Sequence, residues 1–314
     1  MYCSLKFADP AHNQNYGLTK ITIARAYGNL IRYFGDRFLA RAILKKSIEF
    51  IQVVERTIRL PQATIKRSED NILRELETLR KSEGGKIFLS FHYGLFELLP
   101  LILSEYLNMP IHVIVDSLAL SQQNRINQYK ELIHKVNPEA KVDFIVVQDA
   151  FSVLKVINIL RNKGMVFIYI DENKSLNNSS AAKLRAIPFI HGHSFFVRTS
   201  VPYFLGKSVS TVYSILSVYG EDKFDLSINE ITNSQEQNFS DRFYQNVIRS
   251  LIKALIVSPE QWTRWYCVDE LDELHSSELS NDEPVPHDSL LIIDRERETK
   301  FNINIPAMTV RQVM

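Results

Sequence analysis

Between residues 86 and 171 the sequence changes period in a regular rhythm, and this rhythm constrains the fold more than any other feature. Lys86-Ile-Phe-Leu-Ser-Phe91 is a short apolar run of β-type residues. After His92 the pattern turns helical through Tyr106. Residues 111 to 115 read as a strand, 121 to 136 as a polar-faced helix and 142 to 147 as a strand. A helix over 150 to 163, closed by Gly164, precedes a strand over 165 to 170 that ends at Asp171. Apolar runs of this length between helical stretches predict βαβ units: an α/β fold with a mainly parallel central sheet flanked by helices. Ligands gather at the carboxyl ends of the strands in such sheets. His92 and Asp171 each fall at one.

The flanks extend this plan. Residues 18 to 57 read as an N-terminal amphipathic helical region, with Ile23, Tyr27, Leu30, Ile31, Phe34 and Phe38 at three- and four-residue steps. Its eight basic residues outnumber Asp36, Glu49 and Glu55 by five, in a chain whose net charge is only +1. Two readings stay open: a basic amphipathic face on an anionic bilayer, or a helix packed on the core with its charges in water. Residues 67 to 81 form a further helix ended by Gly84-Gly85. Ser194 to Val218 supplies more strands, residues 239 to 257 a helix, and Pro259 starts a short one. Residues 1 to 268 thus read as one domain. Residues 269 to 288 hold eight carboxylates and no Lys or Arg, so 269 to 314 reads as an acidic linker and tail, with 289 to 294 as an edge strand.

Composition excludes some classes. With 37 basic and 36 acidic residues, nothing points to nucleic acid. Cys3 and Cys267 are too few and too distant for a disulfide framework or a zinc site, and they fit a reducing cytoplasm. No signal peptide and no transmembrane run is expected. His191 and His193 have metal-ligand spacing but lack a third ligand nearby, so no metal is expected.

The chemistry centres on His92 and Glu97. A neutral imidazole removes a proton near pH 7, and a carboxylate on its other nitrogen fixes the tautomer. Five residues apart on one helix is about 140°, which is poor for contact. A strand end followed by a helix start brings the two together, and the helix N-terminus favours an anion. Spacing alone favours a strand-end histidine with a solvent-facing Glu over a working pair. Glu97, however, lies between Leu95-Phe96 and Leu98-Leu99, where a charge needs a reason.

Leu89-Ser-Phe-His92-Tyr-Gly-Leu-Phe-Glu97 resembles the His-x4-acid motif of the late lipid A biosynthesis acyltransferase family, the lauroyl and myristoyl transferases, to which mannoside acyltransferases are related. Ser117 to Asn137 resembles its polar helix. Asp171-Glu172-Asn173, followed by Ile187-Pro188-Phe189 and Gly192, resembles its Asp-Gln-Asn block and Pro-Phe-Phe-Gly segment. Pro259-Glu-Gln-Trp262 resembles its Pro-Glu-Gln-(Trp/Tyr) helix. The resemblance spans residues 20 to 268. It implies an acyltransferase-like fold and a donor thioester on acyl carrier protein or coenzyme A, with no further cofactor. His92 is then the base and Glu97 its orienting partner, while Asp171, Glu172 and Asn173 shape the site near donor or acceptor. Arg185, with Lys183, and Trp262 are candidate substrate contacts, and Arg264 a partner for a carboxylate near the site.

Val115-Asp116-Ser117 stands where the family carries a Tyr-Arg-Pro-like step, and Asp116 repels an anion. The acceptor expected is therefore an amphiphilic or natural-product hydroxyl or amine rather than a phosphorylated lipid A precursor. The expected location is cytoplasmic, with peripheral contact on the inner membrane face through residues 18 to 57. Two other functions fit the same residues: a thioesterase that uses the His-acid pair with water, and a non-catalytic scaffold in a biosynthetic complex.

Overall fold

The computed structural model describes residues 20–115, 123–146, 151–171, 184–198, 200–205, 207–233, 241–266, 289–294, 299–304 and 309–313. It is a mixed α/β structure whose central sheet is mostly parallel and flanked by helices. Four helices come first: α1 (Lys20–Phe34), α2 (Arg37–Arg59), α3 (Pro61–Arg67) and α4 (Glu69–Lys81). The helical region expected over 18 to 57 is broken after Phe34. Gly35 takes a φ of 68°, and the Asp36 side chain caps α2 by accepting from the amides of Phe38 and Leu39.

Six strands make the main sheet: β1 (Gly85–Ser90), β2 (Ile111–Val115), β3 (Val142–Val146), β4 (Met165–Tyr169), β7 (Ser210–Gly220) and β8 (Lys223–Asn233), in the order β3-β2-β4-β1-β7-β8. All neighbours pair in parallel except the β7–β8 hairpin. Helices α5 (Leu99–Leu107), α6 (Gln123–Val136) and α7 (Ser152–Arg161) connect the parallel strands. Beyond β4 come a small antiparallel pair, β5 (Leu184–Pro188) with β6 (Ser194–Arg198), then α8 (Ser200–Leu205), and after the hairpin α9 (Asp241–Val257). Strands β9 (Ser289–Asp294), β10 (Thr299–Asn304) and β11 (Thr309–Val313) form a separate antiparallel sheet, where only one edge strand was expected.

Every residue of β1 is buried, so the strand feeds both faces of the sheet. Ile87 and Leu89 enter one core with Val166, Val212 and the apolar side of α9: Phe243, Val247, Ile248 and Leu251. Phe88 enters the other with Leu76 and Leu79 of α4 and Leu101 and Ile102 of α5. This two-sided burial makes β1 a fixed rail, and the residues just beyond Ser90 inherit its position.

Among the described residues no helix is long and apolar enough to cross a membrane. Asp116, Glu172 and Asn173, the loop with Lys183, both cysteines and the acidic stretch 269 to 288 lie outside the described residues. So does the side chain of Arg185, whose backbone belongs to β5.

Candidate functional site

Strand register sets up the site. Ser90 of β1 pairs with Tyr169 of β4, and the Ile170 amide donates to the Ser90 carbonyl at 3.0 Å. His92 and Asp171 each come two residues later, side by side at the carboxyl ends of neighbouring strands. Asp171 Oδ1 lies 2.7 Å from His92 Nδ1, and Oδ2 accepts the His92 backbone amide at 2.9 Å. The carboxylate is wholly buried, whereas the His92 side chain keeps 15% exposure. An acceptor on Nδ1 leaves the proton there and the lone pair on Nε2, the tautomer a general base needs.

Two residues of the 259–266 segment complete the cluster. The fully buried Trp262 donates its indole N–H to Asp171 Oδ2 at 3.0 Å. Arg264, also buried, has Nε 4.0 Å from the same oxygen, which fulfils the carboxylate partnership read for it. Its Nη2 is 3.1 Å from His92 Nδ1 and 3.3 Å from Nε2. An atom so nearly equidistant from both lies over the ring edge, because an in-plane position would overlap the carbon between the two nitrogens. Burial pushes the Asp171 pKa upward, but the opposing pull of His92, Arg264 and the Trp262 N–H wins, and the value is held below the ordinary 3.8.

The two segments are joined by backbone. Tyr93 and Trp262 form an antiparallel bridge, and the Gly94 amide donates to the Gln261 carbonyl at 3.0 Å. The Thr263 amide and hydroxyl both donate to the His92 carbonyl at 3.0 Å. The Tyr93 hydroxyl is shared between the carbonyls of Ala254 and Ser258 at the end of α9. Gly94 makes the turn with φ 63°, and a Cβ there would stand 1.8 Å from the Ser217 carbonyl oxygen. The Gln261 amide in turn pairs twice with the Tyr219 backbone, at 2.8 and 2.7 Å.

The expected His92–Glu97 partnership is replaced. Residues 92 to 95 are spent on the Gly94 turn, and a short 3-10 helix, Phe96–Leu98, starts only after it. It is the Phe96 ring that meets the imidazole, edge-on at 4.8 Å, with Tyr169 at 4.7 Å on another side. The Glu97 carbonyl accepts from the Tyr129 hydroxyl of α6 at 2.8 Å. Burial raises the Tyr129 pKa and the Glu97 charge adds to the rise, so this carboxylate stands near Tyr129. The carboxylate on Nδ1 is that of Asp171, which the family resemblance had placed toward donor or acceptor.

Trp262 is not an exposed pocket wall: it is enclosed by Phe189, Phe195 and Trp265, with ring centroids 5.8, 6.2 and 4.8 Å away. The His193 ring lies 4.2 Å from that of Tyr33, with Nε2 3.3 Å from the Arg32 carbonyl. No group of three metal-ligating side chains occurs among the described residues. Sequence reasoning missed Thr263 and the Asn29 amide, which donates to the Trp265 carbonyl at 2.9 Å. Neither has a local signal, since each acts on a segment more than 170 positions away. The chain matches no known family model and no curated protein.

Proposed function

We propose that this chain is an acyltransferase similar to the late lipid A acyltransferases, with His92 as general base and Asp171 as the carboxylate that orients it. The observation that carries the reading is the 2.7 Å contact between His92 Nδ1 and the buried Asp171 at adjoining ends of β1 and β4. An acceptor hydroxyl or amine gives its proton to Nε2 while attacking the acyl thioester of a carrier protein or coenzyme A. The acceptor itself is the nucleophile, so no protein serine or cysteine is required. Asp116, in the position where the family resemblance leads one to expect a cation, favours a neutral or cationic amphiphilic acceptor over a phosphorylated one.

The N-terminal helices support contact with the inner face of the cytoplasmic membrane. Phe38 and Leu39, 89% and 45% exposed, stand at the start of α2 beside exposed Arg37 and Arg41. An exposed apolar pair flanked by two arginines suits an anionic bilayer surface.

The test is mass spectrometry of products from acyl-coenzyme A or acyl carrier protein incubated with candidate acceptors. An acylated product that vanishes in His92→Ala is expected. Hydrolysis that no acceptor redirects would favour a thioesterase. Product formation undiminished in a folded His92→Ala protein would remove His92 as the base, and wild-type protein that turns over no acyl thioester would favour the scaffold reading.

A further inference from the structure

Attack on a thioester drives the carbonyl π pair onto oxygen, and that oxygen needs a donor as its charge develops. Backbone amides often serve, but the three at the base are already engaged. The amide of His92 donates to Asp171, that of Tyr93 to the Phe91 carbonyl and that of Gly94 to the Gln261 carbonyl. The charged donor against the imidazole is Arg264, whose Nη2 is 3.3 Å from the nitrogen that takes the proton. We infer that Arg264 is the oxyanion-binding residue of the transfer, an inference that rests on the acyl-transfer reading.

Charge balance supports the assignment. Before reaction, Asp171 and Arg264 cancel and His92 is neutral. When the acceptor O–H or N–H is lost to Nε2, the imidazolium brings the cluster to one net positive charge. The tetrahedral oxyanion, one negative charge, forms beside it. Without Arg264 the imidazolium and Asp171 would cancel, and the oxyanion would face a cluster with no net positive charge. On collapse the oxygen pair re-forms the carbonyl, the carbon–sulfur bond breaks, and the departing thiolate takes the proton from Nε2. Every proton and electron pair is accounted for by donor, acceptor and His92.

The position of Arg264 is built rather than incidental. Its neighbour Thr263 holds the His92 carbonyl through two hydrogen bonds, and its other neighbour, Trp265, is held by Asn29. The guanidinium is thus referenced to the same backbone that carries the base. Side-chain packing does the rest: Trp262 and Trp265 are both fully buried.

The experiment uses the full chain, decanoyl-coenzyme A as donor and hydroxylamine as a small neutral acceptor, reading thiol release and the hydroxamate. For Arg264→Gln the expected result is a kcat about 10²–10³-fold lower, with KM changed by less than about threefold. Arg264→Lys keeps the charge and retains more kcat than Arg264→Gln. Added guanidinium ion restores part of the rate of Arg264→Ala, which a merely structural role would not allow. Arg264→Gln with a kcat within about threefold of wild type, or with its loss confined to KM, overturns the inference while leaving acyl transfer intact. Should the Gln and Ala variants not fold, Arg264→Met, of similar length but without charge or donor, takes their place, and a kcat within about threefold of wild type overturns it. Wild-type protein that releases no more thiol than His92→Ala overturns the acyl-transfer reading and this inference with it.

Discussion

At the scale of single residues the site depends on one buried carboxylate with three donors. Asp171→Asn keeps the shape but offers an amide where Nδ1–H must donate, so the imidazole turns to the wrong tautomer. The expected loss in kcat is on the order of 10³–10⁴-fold, with the fold retained, read in the thioester assay with circular dichroism as control. Trp262→Phe keeps an aromatic ring in the core and removes only the indole N–H from Oδ2. Roughly a tenfold loss of kcat is expected, since one hydrogen bond to a charged group is worth about 1.5–3 kcal/mol. The pH dependence comes from the lowered Asp171 pKa. A carboxylate more acidic folded than unfolded adds stability that is complete above its unfolded pKa and is lost as pH falls toward the folded value. Urea midpoints should therefore fall below about pH 4 in wild type, and this part of the fall should be absent in Asp171→Asn. Only half of the residue-scale picture was legible in the sequence. His92 and Asp171 both stood out as strand-end residues, but which carboxylate meets the imidazole depends on strand order, and nothing local says that β4 lies next to β1.

At the scale of elements, the period changes between 86 and 171 made the parallel part of the sheet legible almost intact. Each strand there is short, apolar and bounded by helix. Legibility failed where other signals compete. β8 escaped notice because Phe224, Leu226 and Ile228 alternate with Asp225 and Ser227 as on a half-exposed edge strand, a weaker mark than a continuous apolar run. Helix α8 interrupts what read as unbroken β-type sequence, and its neighbourhood in the core, with Val201, Phe204 and Leu205 buried, overrides propensity. The turn after β1 gives the sharpest prediction at this scale. Gly94→Ala demands both a left-handed alanine and the retreat of the Ser217 carbonyl, so a loss of at least about 3 kcal/mol is expected, measurable by urea unfolding. Gln261→Ala removes two hydrogen bonds from the Tyr219 backbone, and a loss of about 1–3 kcal/mol is expected by the same measurement.

At the scale of the whole molecule, the proposed bilayer contact is tested at the exposed Phe38 and Leu39. Phe38→Asp should weaken co-sedimentation with phosphatidylglycerol vesicles about tenfold or more without altering turnover of a water-soluble thioester. Equal losses in both assays would mean that the substitution had disturbed the fold rather than the membrane contact. The bridge from Tyr93 to Trp262 has a further consequence, for the chain during its synthesis. His92 is translated early, yet its carbonyl is tied down by Thr263 and the Asp171 carboxylate beside it by Trp262. A nascent chain that has delivered both strand ends but not residues 259 to 266 carries every atom of the base and its carboxylate without the clasp that aligns them. On the proposed reading, activity is withheld until the ribosome has released residues 259 to 266, and contacts of such long sequence separation form late in folding.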